Sequence, residues 1–222
     1  MKIAILDSDY ETGAKNTSSM IAKGVLESKI KIFRVCENRF PDMLNYDAFI
    51  ISGSAACFDD KKAWIKSLIK LIKQLHKNKK PLLGICFGHQ IIAHALGGKV
   101  IHGKEREFGY RKIRMTKCGK DSGLFSRIKN KFTCFEAHRD YVTKLPSHAI
   151  LLAKNDCGIQ AFNIGNSYGI QFHPEITPRL AVQVAKDKNL DVKKTRKDSK
   201  HYGRPVFRIL NNFEKIVKEQ NK

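Results

Sequence analysis

The sequence lacks the features that mark several classes of protein. Its six cysteines include no C-x-x-C pair and no dense framework, so they indicate reduced thiols in a cytosol-like compartment, not a disulfide scaffold. No apolar run is long enough to span a membrane. The short apolar run at residues 1–6 ends at Asp7, which argues against a signal peptide. We therefore expect a cytoplasmic protein without a membrane-spanning segment.

Acidic residues are also scarce, and 21 of them against 42 basic residues leave a formal net charge of +21. Such a charge can mark a nucleic-acid or membrane-surface partner. The lysines are scattered along the whole chain, however, and many fall on predicted helix faces, as in residues 61–66 and 70–73. The sequence shows no aromatic and basic stripe of the kind that stacks bases. A solvated lysine-rich surface is therefore favoured, and neither a nucleic-acid nor a membrane partner is expected.

Residues 81–96 carry the most informative pattern in the chain. An apolar run at 81–85 ends abruptly at Cys86, and a helix-like stretch follows at 90–96. Gly84 and Gly88 lie two residues to either side of the cysteine. A strained strand-to-helix turn needs such glycines, because strand and helix backbones approach closely and a Cβ atom would clash. The pattern predicts a nucleophile elbow.

The predicted turn also favours acyl-transfer chemistry at the cysteine. The amide of Phe87 would lie at a helix N-terminus, where it can donate a hydrogen bond to a developing oxyanion. The same helix end lowers the pKa of a thiol, and the thiolate is the attacking species. We predict that Cys86 is a nucleophile.

A cysteine nucleophile needs a base, and Gln171-Phe172-His173-Pro174-Glu175 supplies one. In extended backbone, side chains two residues apart point to the same side, so His173 and Glu175 would lie next to each other while Pro174 stiffens the link. This spacing suits an imidazole that a carboxylate holds in one tautomer and that accepts the proton of Cys86.

At these two motifs, residues 84–90 and 171–175, the chain resembles the class I (triad) glutamine amidotransferases. In that family Cys, His and Glu hydrolyse the side-chain amide of glutamine. The resemblance runs from about residue 3 to about residue 175, and the motifs occur in the family's order. Ser52-Gly53-Ser54, Phe87 and the stretch at 105–110 are most similar to the small stand-alone branch that includes γ-glutamyl peptidases.

The loop Ser52-Gly53-Ser54 follows the predicted strand at 46–51. Sites in open α/β sheets gather outside the carboxyl ends of strands, so this loop should face the Cys86 elbow. The resemblance implies that a backbone amide near Gly53 or Ser54 completes the oxyanion hole with Phe87. An ordinary tight turn is the alternative.

The resemblance also implies substrate-binding residues. It places Glu107 near the bound glutamine, His138 and Asp140 beside the amino acid portion of the substrate, and Gln90 against its carboxylate or amino group. The residue types leave two alternatives open. Glu107 could be a solvated acid in a loop at 104–109, and His138 with Asp140 could form a second histidine and acid dyad that rivals His173 and Glu175.

The length of the chain favours one α/β domain large enough to bury its own core. We predict a single-domain flavodoxin-like open sheet with a mostly parallel core, helices on both faces and a small antiparallel extension, as one amidotransferase-like domain over residues 1–222. Asp59 or Asp60 is predicted to cap an amphipathic helix at 61–77. A charged stretch at 186–204 is poor in apolar residues and predicts a surface excursion.

These observations predict a cysteine-dependent hydrolase of glutamine or γ-glutamyl amide bonds. It would form a γ-glutamyl thioester and release glutamate with ammonia or an amine, using a small-molecule substrate and neither metal nor cofactor. The sequence contains no G-x-x-x-x-G-K-[ST] motif, and we expect no second domain that would activate an acceptor with ATP. A second hypothesis is therefore a glutaminase subunit that delivers ammonia to a separately encoded synthetase such as GMP synthetase.

Two hypotheses of other kinds stay open. One is a non-catalytic binding protein on the same fold. The other is a cysteine peptidase or other hydrolase of related fold, because an elbow and a triad specify acyl transfer better than they specify the acyl group.

Overall fold

The computed structural model describes residues 1–10, 17–187, 189–201 and 207–221. Its strands are β1 (Lys2–Asp7), β2 (Lys29–Arg34), β3 (Ala48–Ile51), β4 (Leu82–Ile85), β5 (Lys99–Met115), β6 (Lys131–Lys144), β7 (Ile150–Asn155), β8 (Gly158–Ile164) and β9 (Ser167–Ile170). Its α-helices are α1 (Thr17–Gly24), α2 (Ala63–Lys77), α3 (Phe87–Ala95), α4 (Lys117–Asp121), α5 (Pro178–Asp187), α6 (Val192–Asp198) and α7 (Arg208–Gln220). Within these ranges no helix combines the length and the apolar character that crossing a bilayer requires.

The strands form one sheet in the order β2-β1-β3-β4-β9-β8-β7-β5-β6. The strands from β2 to β9 in this order are parallel, and those from β9 to β6 are antiparallel. In β3 and β4 every residue is buried, as expected for parallel strands covered on both faces. Because β4 and β9 are parallel neighbours with Ile85 opposite Ile170, their carboxyl ends lie at the same edge of the sheet.

The core consists of apolar layers on the two faces of this sheet. Ile3 and Ile5 of β1 pack on one face, in the layer that includes α1 and α7, while Ala4 and Leu6 pack on the other, with α2 and α3. Helix α2 buries one stripe of apolar side chains at helical spacing: Trp64, Ile65, Leu68, Leu71, Ile72 and Leu75. The predicted α/β class, with helices on both faces of an open sheet, is confirmed.

Two local predictions were wrong. Residues 104–109 are not a loop but part of β5, which pairs with β6 across a register shift between His102 and Glu107. Helix α2 begins at Ala63 without a side-chain cap, and the Asp59 carboxylate lies 3.2 Å from His102 Nε2 instead.

The stretch at 186–204, predicted to be a charged surface excursion, contains α6. Asp191 caps this helix by accepting a hydrogen bond from the Lys194 amide at 2.8 Å, and Thr195 is buried. The helix buries a threonine instead of an apolar stripe, so its sequence shows no helical periodicity. Residues 188 and 202–204 of the predicted excursion lie outside the described residues.

Because His89 of α3 is buried, we predict that the free energy of unfolding decreases in acid. Burial lowers the pKa of His89 to about 3, so the folded state binds fewer protons than the unfolded chain once the pH falls below about 6.5. Because of this residue, we expect the free energy of unfolding to fall by about 2 kcal/mol when the pH is lowered from about 7 to about 5. Urea denaturation at the two pH values measures this change. His89→Gln should remove that part of the pH dependence. His94→Gln, on the exposed side of the same helix, should keep it, and equal acid sensitivity of both variants would contradict the prediction.

Candidate active site

Cys86 lies in a strained turn between β4 and α3. Its backbone has φ 53° and ψ −102°, and residues other than glycine rarely adopt a positive φ. A Cβ atom on Gly84 would lie 2.3 Å from the Gly88 carbonyl, and one on Gly88 would lie 2.6 Å from the Ile51 carbonyl oxygen. The two glycines therefore let the strand and the helix approach closely, as the elbow pattern predicts.

The backbone brings His173 to the same edge of the sheet. The amide of Cys86 donates to the Ile170 carbonyl at 2.9 Å, which ties the elbow to the end of β9. Three residues further on, the amide of His173 donates to the Phe135 carbonyl at 2.9 Å and forms a bridge with β6. The structure thus places Cys86 and His173, which are far apart in the chain, at the same edge of the sheet.

Glu175 contacts His173 directly. The Glu175 Oε1 atom lies 2.7 Å from Nδ1 of the imidazole, and the carboxylate is fully buried. The backbone at His173 to Glu175 forms a turn and not the extended segment that the sequence suggested, with the Ile176 amide donating to the His173 carbonyl. The expected side-chain contact therefore forms through a different backbone geometry.

The electrostatics of this group favour a charged imidazole. Burial by itself lowers the pKa of His173, but the negative charge of Glu175 and that of the Cys86 thiolate raise it well above its ordinary value. An imidazolium beside the sulfur stabilises the thiolate, which is the reactive form of cysteine. The predicted catalytic roles of Cys86, His173 and Glu175 stay predictions on this geometry.

The loop after β3 borders the same sulfur and imidazole. A Cβ atom on Gly53 would lie 3.1 Å from His173 Cε1 and 3.7 Å from Cys86 Cβ. The Ser54 hydroxyl donates to the Ser8 carbonyl at 2.6 Å and accepts from a backbone amide of its own loop, so its side chain holds the loop in place. Among the groups of Gly53 and Ser54, the backbone amides are thus the candidates for an oxyanion hole.

Phe87 is the first residue of α3, so its amide has no acceptor one turn earlier in the helix. Its side chain is buried against Trp64, with ring centroids 5.7 Å apart. Packing of the Phe87 side chain therefore holds the main chain in place, and the Phe87 amide follows Cys86 directly. An oxyanion-hole donor requires both features.

Two cavities meet at Cys86. The first has a volume of about 560 Å³ and is lined by His173, Tyr10 and the apolar side chains of Ile176, Leu180 and Val184, among others. The second has a volume of about 540 Å³, and its lining includes Gln90, His102, His138, Arg139 and Asp140. Both include Ser54, Ala55, Arg106 and Ala137. The predicted base therefore lines one cavity, and three of the predicted substrate-binding residues line the other.

Gln90 and Asp140 are linked within the second cavity. The Gln90 Nε2 atom donates to the Asp140 carbonyl at 2.9 Å and to Gln171 Oε1 at 3.2 Å. The Asp140 carboxylate lies 3.0 Å from His102 Nδ1 and not against His138, whose Nδ1 contacts the Asp140 main-chain carbonyl. The rival dyad of His138 with the Asp140 carboxylate does not form.

Glu107 is buried in β5, so it is not a solvated loop acid. Its Oε1 atom accepts from Asn155 Nδ2 at 2.8 Å, and its Oε2 atom lies 3.0 Å from His138 Nε2. Glu107 does not line the second cavity itself but contacts His138, which does. Its direct contact with a substrate stays a prediction.

The sequence analysis missed Glu136, which lies in β6 with its Oε2 atom 3.3 Å from His138 Nε2. Burial raises the pKa of Glu136 to about 7. Burial lowers the pKa of His138, but Glu107 and Glu136 outweigh this effect and raise it to about 10. The two acidic side chains therefore favour the charged form of His138. The sequence could have indicated Glu136, because it occupies a buried position in the alternation of buried and exposed residues along β6.

Comparisons with known proteins identify a matching family model and several similar proteins. The family model "Glutamine amidotransferase class-I" matches residues 10–191. The chain is similar to gamma-glutamyl peptidase 3 of Arabidopsis thaliana, with 36% identity over 171 residues that cover 73% of this chain and 68% of the relative. It is also similar to gamma-glutamyl peptidase 5 of the same plant, of which the match covers 64%, so these matches span about two thirds of the relatives.

Other similar proteins carry a second kind of name. A glutamine-hydrolyzing GMP synthase subunit of Methanococcus vannielii is 38% identical over 103 residues, which cover 45% of this chain and 53% of that protein. Among solved structures, a glutamine amidotransferase of Thermotoga maritima has a TM-score of 0.80 at 20% identity, with 98% of both chains covered. The structural likeness supports the fold alone.

Proposed function

The chain belongs to the glutamine amidotransferase class-I family, and on that premise we propose that it is a cysteine hydrolase that cleaves γ-glutamyl amide bonds. The observation that carries the proposal is the meeting of Cys86 with His173 and Glu175 where parallel strands β4 and β9 end. A nucleophile, a base and the group that orients the base are the parts that acyl transfer requires.

The first half of the reaction forms a thioester. The Cys86 thiolate attacks the γ-carbonyl carbon, and the carbonyl oxygen becomes an oxyanion that the amides of Phe87 and of Gly53 or Ser54 stabilise. His173, which took the thiol proton, returns it to the departing nitrogen as the carbon–nitrogen bond breaks. Glu175 keeps the imidazole oriented and stabilises its positive charge.

The second half of the reaction hydrolyses the thioester and restores the free enzyme. His173 accepts a proton from a water molecule, whose oxygen attacks the thioester carbonyl at the same oxyanion position. The carbon–sulfur bond breaks, glutamate leaves and the thiolate is restored beside the imidazolium. The chain's own residues supply each proton transfer in this sequence.

The two cavities suggest which part of the substrate lies on each side of Cys86. His173, which protonates the leaving nitrogen, lines the first cavity, while Gln90, His138 and Asp140 line the second. The glutamyl amino acid portion therefore belongs in the second cavity and the leaving amine in the first. Ammonia needs little of a cavity of about 560 Å³, so this volume supports a γ-glutamyl peptide or substituted amide as substrate.

Incubation of the purified chain with glutamine, glutathione and other γ-glutamyl compounds tests the proposal through glutamate release. We expect release from γ-glutamyl compounds with a bulky amine, without any added protein. A chain that releases glutamate from none of them would contradict the hydrolase proposal.

Leu180 of α5 offers a test of the leaving-group side, because it lines the first cavity and not the second. We expect Leu180→Trp to lower kcat/KM for γ-glutamyl dipeptides about tenfold or more by narrowing the cavity, while glutamine hydrolysis changes little. Arg179→Trp is the matched control, since Arg179 is exposed on the same helix and lines neither cavity. Equal losses for glutamine and dipeptides in Leu180→Trp would contradict this orientation of the substrate.

A second candidate is a glutaminase subunit that passes ammonia to a synthetase. The relative from Methanococcus vannielii, named as a glutamine-hydrolyzing GMP synthase component, favours it. Partnered glutaminases are often nearly silent alone, so weak glutamine hydrolysis that rises strongly with an added GMP synthetase ATP-binding subunit would support this candidate. Robust hydrolysis by the isolated chain would favour the stand-alone hydrolase.

A further inference from the structure

We propose that Cys57, His102 and Asp140 form a binding site for a divalent metal ion of the zinc class at the rim of the second cavity. Each side chain offers one ligand atom, and the three atoms lie within 4.8 Å of one another. They come from three separate segments, namely the stretch before α2, strand β5 and strand β6. All three line the second cavity. The resemblance places Asp140 beside the substrate, but neither it nor the proposed mechanism assigns a role to Cys57 or His102, or to the three residues as one group.

The ligand types suit zinc. Zinc binds thiolate, imidazole and carboxylate at about 2.0 to 2.3 Å, and in a tetrahedral site these bonds place neighbouring ligand atoms roughly 3.3 to 3.8 Å apart. Asp140 Oδ1 and His102 Nδ1 are already 3.0 Å apart, so small side-chain rotations would accommodate an ion. Three protein ligands leave a fourth position for water or a ligand in the cavity.

The second ring nitrogen of His102 provides an independent observation. Its Nε2 atom lies 3.2 Å from Asp59 Oδ2, on the side of the ring opposite Asp140. Histidines that bind metals commonly donate their other N–H to a carboxylate, which fixes the tautomer and strengthens the ligand. Asp59 is already in the position that this arrangement requires.

Burial and charge are consistent with an ion that enters from solvent. The His102 and Asp59 side chains are each 51% exposed, whereas Asp140 is nearly buried. Asp59, Asp60 and Asp140 also concentrate negative charge in a protein that carries a net charge of +21. Asp60 accepts from the Cys57 amide at 3.4 Å, which holds the cysteine at the rim. Arg106 and Arg139 line the same cavity, and their positive charges would repel a metal ion. Binding therefore requires that the attraction of the thiolate and the carboxylates exceeds this repulsion.

A bound ion would act on the neighbouring substrate pocket. The main-chain carbonyl of Asp140 accepts from Gln90 Nε2 and contacts His138 Nδ1, both predicted substrate-binding side chains. An ion on the Asp140 carboxylate would restrain this segment and occupy the rim of the cavity. Zinc is therefore expected to inhibit hydrolysis reversibly, with activity restored by a chelator.

Cobalt spectroscopy tests the site without any measurement of activity. Titration of Co²⁺ into the Cys86→Ser protein should give one equivalent of a tetrahedral complex, with a thiolate-to-cobalt absorption band that Zn²⁺ abolishes. The Cys86→Ser background excludes the nucleophile as a ligand. The result is therefore independent of the proposed hydrolase function.

Three further substitutions in that background decide the assignment. Cys57→Ser should abolish the thiolate band, and His102→Ala, at an exposed position, should weaken binding by about 100-fold or more. Asp59→Asn should weaken it by about 10-fold to 100-fold. Cys157→Ser, at an exposed cysteine outside the group, should leave the spectrum unchanged. Absence of a thiolate band, or a band that survives Cys57→Ser, would overturn the proposal.

Discussion

Replacing Cys86 with serine is expected to lower the rate of γ-glutamyl amide hydrolysis by about 10⁴-fold to 10⁶-fold, a loss typical of removing a covalent nucleophile. A serine hydroxyl is far less acidic than a thiol, so the buried pair with His173 would no longer hold an anion. The strained backbone at this residue and the close packing of Gly84 and Gly88 do not depend on the sulfur. Glutamate release measures the loss, and circular dichroism with thermal melting reports the fold.

Cys118→Ser provides the control for this experiment, because Cys118 is an exposed cysteine on α4. It should retain full activity and full stability. Near-wild-type turnover by Cys86→Ser would refute the assignment of the nucleophile. Equal loss in both variants would point to general damage by thiol removal.

Substitution of Glu175 by glutamine is expected to lower kcat and kcat/KM together by about 10⁴-fold, because the interaction acts on the transition state. The Glu175 carboxylate lies 2.7 Å from His173 Nδ1 and raises the pKa of the imidazole. Without its charge, the pKa of the imidazole falls, and the imidazolium that would stabilise a thiolate is less populated. Steady-state kinetics measure the loss of turnover, and the rate of Cys86 alkylation by iodoacetamide at neutral pH measures the loss of thiolate.

The matched control is Glu105→Gln, which removes an exposed carboxylate from β5. Both its turnover and its alkylation rate should match those of the unsubstituted protein. If Glu175→Gln lost activity but kept a fast alkylation rate, the orienting role of Glu175 would stand without its electrostatic role. Unchanged turnover would exclude both roles.

Much of the fold could be predicted because its signals are local. The continuous apolar runs at β3 and β4 indicate strands covered on both faces, and the spacing in α2 indicates its buried stripe. The glycines around Cys86 mark a turn whose geometry depends on close backbone contacts. These patterns lie within a few residues of one another, so the order of elements follows from them.

Local signals failed where a segment is stabilised by distant partners. Residues 104–109 have the composition of a polar loop, yet pairing with β6 makes them strand. Helix α6 buries Thr195 in place of an apolar stripe, and so carries no periodic pattern. Asp59 has the position of a helix cap, but it contacts His102, which is 43 positions away in the chain.

The sequence alone determined the class of fold and the residue types predicted to carry acyl-transfer chemistry, because glycine spacing and apolar periodicity are local properties of the chain. Only the tertiary structure decided how these groups meet and which charges they bear. The parallel pairing of β4 with β9 brings Cys86 to the same edge of the sheet as His173, and the contacts of Glu107 and Glu136 with His138 raise the pKa of that imidazole. Contact and burial depend on strands that are distant in sequence, and therefore on packing that no local pattern contains.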